Sequence, residues 1–338
     1  MLDVLVVGGG PAGLVTALYA ARAGLEVAVV ERRRGVLDKA CGEGLMPAAL
    51  RALAELGVDP DGQPFSGITY RQGTASAVTR FASGPGRGVR RTTLDGALRV
   101  AVMAAGIDVH EGTVDQVEQH VDHVRAAGLQ ARYLVGADGL HSSVRSALDV
   151  TRPARVQRWG LRRHYALAPW TDTVEVTWAA AGEAYVTPVG PGTVGVAVLT
   201  SSRGGLDSQL ASFPALAERL HGVTRLSVDR GAGPLRQDVR RRVVGRVLLV
   251  GDAAGYVDAI TGEGIAVAIA SARVLVQALA AGHPERYERE WRRVSRSYRV
   301  ITSGLLQVRA QPRLARCVVP VAARLPRVFG YVVDQLAG

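Results

Sequence analysis

Apolar and polar positions alternate in a recognisable order at the start of the chain. Residues 2–7 form an apolar run typical of a buried strand, and an Ala/Leu-rich stretch that ends at Gly24 predicts a helix. A second apolar run, residues 27–30, ends at Glu31. Between the first run and the helix the chain reads Gly-Gly-Gly-Pro-Ala-Gly. This order predicts a βαβ unit with a glycine-rich turn after its first strand.

The later pattern predicts strands first and helices afterwards. The β-rich segments with Gly/Pro turns between them are residues 65–70, 76–81, 158–167, 173–178, 183–188 and 193–199. We expect a helix over residues 204–222 with a break at Pro214, and an Ala-rich helix over residues 265–280. From residue 285 onward, apolar side chains recur every three to four positions. We expect Pro312, Pro320 and Pro326 to cut this tail into short helices.

Composition narrows the class of protein. The chain has 338 residues, 48% hydrophobic, and no apolar run of the ~18 residues that a membrane span needs. The first apolar run belongs to the predicted βαβ unit, which argues against a cleavable signal, so we expect a cytoplasmic protein. The net charge of +11 comes almost wholly from arginine, because Lys39 is the only lysine. No zinc spacing or basic-aromatic pattern indicates nucleic acid, and no metal cluster is visible.

The glycine-rich turn is suited to an ADP moiety. Gly8 permits the turn, Gly10 lets the backbone approach a pyrophosphate, and Gly13 lets the helix pack on the strand. Pro11 and Ala12 complete the turn at the helix N-terminus, where free N–H groups favour anions. Glu31 is placed to bind the adenosine ribose. NAD, NADP and FAD remain open at this point, since Arg32 after Glu31 would suit a 2′-phosphate.

Two later segments favour FAD. In the first, an apolar strand runs into Asp138-Gly139; in the second, another runs into Gly251-Asp252. An acid at such a strand end can accept hydrogen bonds from the hydroxyls of a ribityl chain. The second segment continues to the start of the Ala-rich helix, whose N–H groups can face the flavin edge that becomes negative on reduction. The residues at that start are Gly262, Glu263, Gly264 and Ile265.

These three segments, in this order, resemble the FAD-dependent oxidoreductases of the aromatic-hydroxylase (group A monooxygenase) and geranylgeranyl reductase superfamily. The resemblance implies an α/β fold: a Rossmann-type FAD-binding domain interleaved with an antiparallel β-sheet substrate domain, and a helical C-terminal cap. It also implies that Asp138, Asp252 and Arg91 approach the FAD, with Arg90 as the alternative to Arg91. NAD(P)H would bind transiently as reductant, because no second glycine-rich turn is present.

We divide the chain accordingly. Residues 1–60, 86–155 and 236–284 are assigned to a discontinuous FAD-binding domain, residues 61–85 and 156–235 to the substrate domain, and residues 285–338 to the cap.

One loop resembles the geranylgeranyl reductase branch in particular. Residues 39–45 read Lys-Ala-Cys-Gly-Glu-Gly-Leu, similar to that branch's Lys-x-Cys-Gly-Gly segment. The resemblance places Cys41 and Gly42 beside the flavin. Cys41 could there donate a proton, touch the substrate or only fill space.

The substrate side matches this branch less well. The reductases carry a Tyr-x-Trp-x-Phe-Pro segment. In this chain Tyr185 takes the place of the Trp, Thr187 takes the place of the Phe, and Pro188 is kept. We therefore expect a more polar cavity wall than a polyprenyl chain would need. Flavin halogenases of the same superfamily carry a Trp-x-Trp-x-Ile-Pro segment, which this chain lacks, so we do not expect a halogenase. Further cavity candidates are Trp159, Arg163, His164 and Trp178. His164 is the expected proton handler, because histidine is the side-chain type most easily titrated near neutrality, and Cys41 and Tyr185 are the other catalytic candidates.

We therefore expect an FAD-dependent, NAD(P)H-driven monooxygenase that acts on a mid-sized, mostly apolar small molecule in specialised metabolism. The alternatives are a flavin-dependent C=C reductase of the geranylgeranyl reductase type and a non-redox cyclase that keeps FAD for structure. The Arg-rich tail is expected to cap the substrate domain. It could also contact a membrane surface or a carrier protein through Arg313, Arg316, Arg324 and Arg327.

Overall fold

The computed structural model describes residues 1–154 and 157–337, and this part of the chain contains twenty strands and twelve helices. The strands are β1 Leu2–Val7, β2 Val27–Glu31, β3 Gly44–Leu45, β4 Gln63–Phe65, β5 Gly67–Gln72, β6 Ala75–Arg80, β7 Gly86–Gly88, β8 Asp108–Glu111, β9 Glu118–Gln119, β10 Val124–Ala126, β11 Leu129–Gly136, β12 Thr151–Arg152, β13 Trp159–Tyr165, β14 Val174–Ala179, β15 Gly182–Gly190, β16 Thr193–Thr200, β17 Arg230–Ala232, β18 Asp238–Val239, β19 Val243–Val244 and β20 Val247–Leu249.

The helices account for most of the remaining regular structure. They are α1 Pro11–Arg22, α2 Pro47–Glu55, α3 Arg91–Ala104, α4 Ser143–Ala147, α5 Leu206–Leu210, α6 Pro214–Leu220, α7 Gly264–Ala280, α8 Arg286–Val294, α9 Arg296–Arg309, α10 Pro312–Ala315, α11 Val318–Arg324 and α12 Pro326–Ala337. A short 3₁₀ turn covers Gly251–Ala254. No helix within the described residues is both long and apolar enough to cross a bilayer.

The first sheet is built around the predicted βαβ unit. Its main strand order is β19-β20-β11-β1-β2-β8, with β10 and β9 continuing beside β11. The β1–β2, β1–β11, β2–β8 and β11–β20 pairings are all parallel. Parallel strands are covered on both faces, which explains why β1, β2 and β20 are near-continuous runs of Val and Leu. Helix α1 packs on β1 and β2, and α3 and α7 each pack on α1.

The second sheet has seven strands in the order β17-β13-β16-β15-β14-β5-β6. The β-rich segments predicted from the sequence supply six of its strands, β5, β6, β13, β14, β15 and β16, whereas Phe65, the first residue of the segment 65–70, belongs to β4 and pairs with β7. We expected an antiparallel sheet, and one pairing differs: β5 lies parallel to β14, with Ile68 opposite Val174. The chain leaves β5 through β6, builds much of the first sheet and only then returns to add β14, so a direct hairpin between them is impossible. The predicted mixed α/β class with two interleaved sheets is confirmed.

The C-terminal tail is helical, as expected. Helix α8 packs on α7, whereas α11 and α12 pack on β6 at the edge of the second sheet. The expectation that Pro320 would break a helix is wrong, because Pro320 lies in the first turn of α11. A proline is tolerated in that turn, since its missing N–H would have no partner there. Pro312 and Pro326 do begin new helices.

The domain limits remain predictions. The strands of the second sheet lie within residues 61–85 and 156–235, and those of the first sheet lie outside those ranges. The boundary assigned between residues 155 and 156, and the last residue, 338, lie outside the described residues.

Candidate active site

The glycine-rich turn joins β1 to α1 at the edge of the first sheet. A Cβ atom at Gly13 would lie 1.8 Å from the carbonyl oxygen of Gly8, so only glycine lets the helix approach this closely. Gly8 itself has a φ of +111°, a conformation that favours glycine. Pro11 is the first helical residue, and no side chain of the described residues caps α1. The end of the helix is therefore available to an anion.

Glu31 holds this turn in place. Its Oε2 accepts a hydrogen bond from the backbone N–H of Gly9 at 2.6 Å, and its Oε1 accepts one from the N–H of Arg33 at 3.0 Å. Each carboxylate oxygen has a second lone pair, so both can still accept from a ribose hydroxyl. The ribose contact stays a prediction. Arg32 is exposed and does not line the cavity described below.

Asp138 serves first as a helix cap. Its Oδ2 accepts from Ser143 Oγ at 3.1 Å and from the N–H of Val144 at 3.2 Å, at the start of α4. Its Oδ1 is buried and has no partner among the described residues. An orphaned acceptor at this strand end fits a hydroxyl donor from a bound cofactor. Gly139, the next residue, lines the cavity directly.

Asp252 lies at the start of the 3₁₀ turn and lines the same cavity. Burial raises the pKa of its carboxyl, and the positive charges of Lys39, Arg145 and Arg91 oppose the increase. The buried Arg145 donates to the carbonyls of Leu140 at 2.6 Å and of Asp252 at 3.3 Å. It thereby connects the two strand-end segments, a role that the sequence analysis missed although Arg145 lies within the first of them.

Arg91, and not Arg90, lines the cavity. It begins α3, and its guanidinium donates to the fully buried Asp95 at 3.4 Å. A Cβ atom at Gly10 would lie 3.8 Å from Arg91 Nη2, so the guanidinium is beside the glycine-rich turn. A cation in that place suits a pyrophosphate.

Helix α7 brings a second uncapped N-terminus to the cavity. Gly251, Gly262, Gly264 and Ile265 line the wall there. Glu263, the residue that precedes α7, is buried and does not line the cavity. Its Oε2 has no partner among the described residues. Burial raises the pKa of the Glu263 carboxyl to about 8.

One large cavity lies between the loops of the first sheet and one face of the second. The loops contribute the residues just described, together with Cys41, Gly42 and Glu43. The second sheet and its surroundings contribute a mostly apolar wall: Ile68, Val174, Val176, Ala197, Leu199 and Leu235. Uncapped helix ends, three nearby cations and an orphaned carboxylate oxygen fit FAD along the loops. The apolar wall is left for the substrate.

Tyr185 and Thr187 line this wall, but their hydroxyls do not face the substrate. Tyr185 donates to the carbonyl of Ile260, and Thr187 donates to that of Gly42, each at 2.8 Å. The expectation that Thr187 makes the wall more polar is therefore wrong, because its hydroxyl is used within the protein. Pro188 lies outside the cavity lining, where its carbonyl approaches Gly88 of β7.

Three other cavity candidates are located elsewhere. Arg163 forms ion pairs with Asp207 and Asp229. Trp159 packs beneath Arg203, and Trp178 lies against Tyr70 and Arg309. Alternation along a strand identifies two faces but does not say which one is turned to the cavity, which is why these residues were misplaced.

Cys41 and His164 meet at Glu43, which the sequence analysis did not single out. The N–H of Glu43 lies 3.3 Å from Cys41 Sγ, and Glu43 Oε2 lies 2.6 Å from His164 Nε2. Burial, followed by the charge of Glu43, raises the pKa of the Cys41 thiol. His164 is 2% exposed and reaches the cavity only through Glu43. Cys41 and Cys317 are both free thiols, and the described residues hold no cluster of metal-ligating side chains.

Comparison with known proteins identifies the family and the fold. The family model described as "FAD binding domain" matches residues 1–203. A menaquinone reductase from Mycolicibacterium smegmatis is 29% identical over 95% of this chain and 88% of its own. A digeranylgeranylglycerophospholipid reductase from Methanopyrus kandleri is 29% identical over 86% and 85%. The crystal structure of p-nitrophenol 4-monooxygenase from Pseudomonas putida superposes with a TM-score of 0.81 at 18% identity, over 100% and 98%, and shows the shared fold.

Proposed function

Because this chain belongs to the FAD-binding domain family of FAD-dependent oxidoreductases, we propose that it reduces C=C bonds in a lipid that carries a polyprenyl chain. One observation carries the proposal: the cavity wall beside the Cys41 loop is mostly apolar, and the hydroxyls of Tyr185 and Thr187 are bonded to backbone carbonyls. A wall of this kind suits a hydrocarbon chain, which gains free energy from burial and needs no hydrogen bonds.

The preference for a monooxygenase depended on a polar wall at Thr187. With that hydroxyl engaged, the resemblance of residues 39–45 to the reductase branch weighs more. Two curated relatives are named for menaquinone and for a digeranylgeranylglycerophospholipid, both lipids with polyprenyl chains. We therefore place the reductase first and keep the oxygen-transferring enzyme and the non-redox cyclase as the outcomes that would replace it.

The cofactor, when bound and reduced by NAD(P)H, supplies a hydride to one carbon of the double bond. The residues of this chain bind and orient. The turn at Gly8–Gly13, Arg91 and the end of α7 would hold the anionic parts of FAD, and Asp252 would accept from its ribityl chain. The apolar wall excludes water and holds the double bond against the Cys41 loop.

The C-terminal helices suggest how such a lipid would be reached. Residues 291–333 contain nine arginines and no acidic residue. Apolar side chains are exposed on the same helices, including Val321, Leu325, Val328 and Tyr331 at 47%, 50%, 56% and 66%. We propose that this basic-apolar surface, formed by these four residues with Arg313, Arg316, Arg324 and Arg327, contacts an anionic membrane.

An anaerobic assay tests the function. The purified protein is supplied with NADPH or NADH and with menaquinone or a geranylgeranyl phospholipid in detergent, and the products are analysed by mass spectrometry. The reductase predicts a gain of two hydrogen atoms per double bond without oxygen. Product only after oxygen is admitted, with one added oxygen atom, would instead identify a monooxygenase. An isomer formed with oxidised flavin would identify a cyclase.

A further inference from the structure

Glu43 is held in an uncommon backbone conformation. Its φ is +60°, the left-handed region that non-glycine residues adopt at a cost of roughly 1 kcal/mol, and it occupies the second glycine of the Lys-x-Cys-Gly-Gly pattern. The side chain is 2% exposed, and its Oε1 accepts from the N–H of Arg91 at 2.9 Å. Strain of this kind persists where surrounding contacts enforce it and is concentrated at functional sites.

The partner of its second oxygen is His164 on β13. Oε2 lies 2.6 Å from Nε2 of the ring. On the other side, Nδ1 lies 3.0 Å from Ser227 Oγ and 3.2 Å from Arg162 Nη1. A guanidinium can only donate, so Nδ1 accepts. The ring proton therefore lies on Nε2, from which it donates to Glu43.

Glycine at position 195 makes this contact possible. A Cβ atom on Gly195 of β16 would lie 2.9 Å from Glu43 Oε2. That distance is too short for a methyl group, so a side chain there would force the carboxylate to shift relative to His164. The hydrogen bond between Glu43 and His164 is thus associated with three independent features. They are the strained backbone of Glu43, the burial of His164 and the glycine at position 195.

Fixed charges surround the pair. Arg162 is 1% exposed, and its Nε is 3.7 Å from Glu43 Oε1. Arg162 also forms an ion pair with Asp38 and donates to the carbonyl of Lys39 at 3.1 Å. Its positive charge compensates the buried carboxylate of Glu43 and the partly exposed carboxylate of Asp38.

Together these contacts form a continuous hydrogen-bonded line. It begins at Ser227, which is partly exposed, passes through both nitrogens of His164 and ends at Glu43 in the cavity wall. We propose that Glu43 and His164 form a proton relay that carries a proton from solvent at Ser227 to the substrate cavity. Its purpose rests on the proposed function, since a C=C reduction needs a proton at the second carbon after a hydride has reached the first.

The step balances. One proton from water enters at His164 Nδ1 by way of Ser227, the Nε2 proton passes to Glu43, and Glu43 releases a proton to the substrate carbon. The hydride and both its electrons come from the reduced cofactor. Exchange with water returns the ring to its Nε2–H form before the next turnover.

The first test is nitrogen NMR on FAD-loaded protein with labelled histidine. The relay predicts that His164 is the Nε2–H tautomer, and that Ser227→Ala slows exchange of this proton with water severalfold. An Nδ1–H tautomer, or exchange that is unchanged in Ser227→Ala, would overturn the proposal. This measurement needs no substrate, so it remains decisive even if the wild-type protein reduces no lipid and the proposed function fails.

The second test separates the two halves of the reaction. Glu43→Gln keeps the shape of the side chain but cannot pass on a proton. The rate at which NAD(P)H reduces the bound flavin is measured for each variant, and lipid reduction is compared from equal amounts of reduced flavin. Lipid reduction should then be about a hundredfold slower, which is within the range for loss of a general acid. Gly195→Ala, which leaves every ionisable group in place, should give a similar loss. Glu118→Gln, at an exposed strand, is the matched control. Equal rates of lipid reduction in Glu43→Gln and wild type would refute the relay.

Discussion

The hydroxyl of Thr187 donates to the backbone carbonyl of Gly42, with 2.8 Å between the two oxygen atoms. This bond joins the longest strand of the second sheet to the loop that carries Cys41. The bond therefore fixes the position of the Cys41 loop relative to the strand that forms the substrate wall.

Thr187→Val removes this bond with almost no change in shape. The Gly42 carbonyl is left without its donor, so we expect the free energy of unfolding to fall by about 1–3 kcal/mol. Turnover should fall further than the FAD content, because the Cys41 loop loses its anchor and the cofactor does not. Urea titration measures the free energy of unfolding, flavin absorbance measures the FAD content, and the lipid-reduction assay measures turnover. Thr187→Ser keeps the hydroxyl and is the control; an equal loss in Thr187→Ser would trace the effect to the methyl group.

The two thiols should differ in reactivity. Burial and the charge of Glu43 raise the pKa of Cys41, whereas Cys317 is exposed. Since the thiolate is the nucleophile, iodoacetamide at neutral pH should label Cys317 at least about tenfold faster than Cys41. Peptide mass spectrometry measures the two rates. In Cys317→Ser, labelling of native protein should nearly cease and return on unfolding; rapid native labelling of that variant would contradict the prediction.

Stability should decline with pH because of Glu263. Its pKa is raised from 4.5 to about 8 by burial, so the folded state retains a proton that the unfolded state releases. Below about pH 4.5 Glu263 is protonated in both states, and its contribution to the free energy of unfolding is largest. As the pH rises toward about 8, deprotonation stabilises the unfolded state relative to the folded state, so the free energy of unfolding decreases. Urea titrations of cofactor-free wild type and Glu263→Gln across this window test it, and the variant should show a flatter profile. Parallel profiles would show that another group is responsible.

Charge reversal should weaken membrane binding. Each basic residue near an anionic surface contributes about 1 kcal/mol, so the double variant Arg324→Glu/Arg327→Glu should bind vesicles that contain phosphatidylserine at least tenfold more weakly. Cosedimentation at low and high salt measures this. The exposed pair Arg240→Glu/Arg241→Glu changes the net charge equally outside the C-terminal helices and should retain binding. Equal losses in both variants would indicate an effect of total charge alone.

Local patterns predicted the backbone well, and the side-chain partners poorly. The helix expected over residues 265–280 is α7, and the β-rich segments are strands of the second sheet. Both follow from periodicity and glycine placement within a few residues. The βαβ unit, the Asp138-Gly139 turn and the Gly251-Asp252 turn are local patterns too, and they pointed to FAD.

The side-chain contacts of the site could not be predicted, because they join distant parts of the chain. Glu43 and His164 are separated by 121 positions, and the sequence offers no local sign that they meet. Thr187 looked like a polar wall because its partner, Gly42, is 145 positions away. The one available signal was Glu43 itself, since an acid in place of a glycine with a left-handed conformation calls for a compensating contact.

The parallel pairing of β5 with β14 has a consequence for biosynthesis. Ile68 lies opposite Val174, so the ribosome must add about a hundred residues after β5 before its neighbour exists. Through that interval β5 can pair only with β6, as a two-stranded hairpin that is at best marginally stable. The first sheet is delayed too, because β20 follows the whole second sheet in the chain. We therefore expect the nascent chain to gain stable structure late and cooperatively, and to depend on chaperones until residue 249 has emerged.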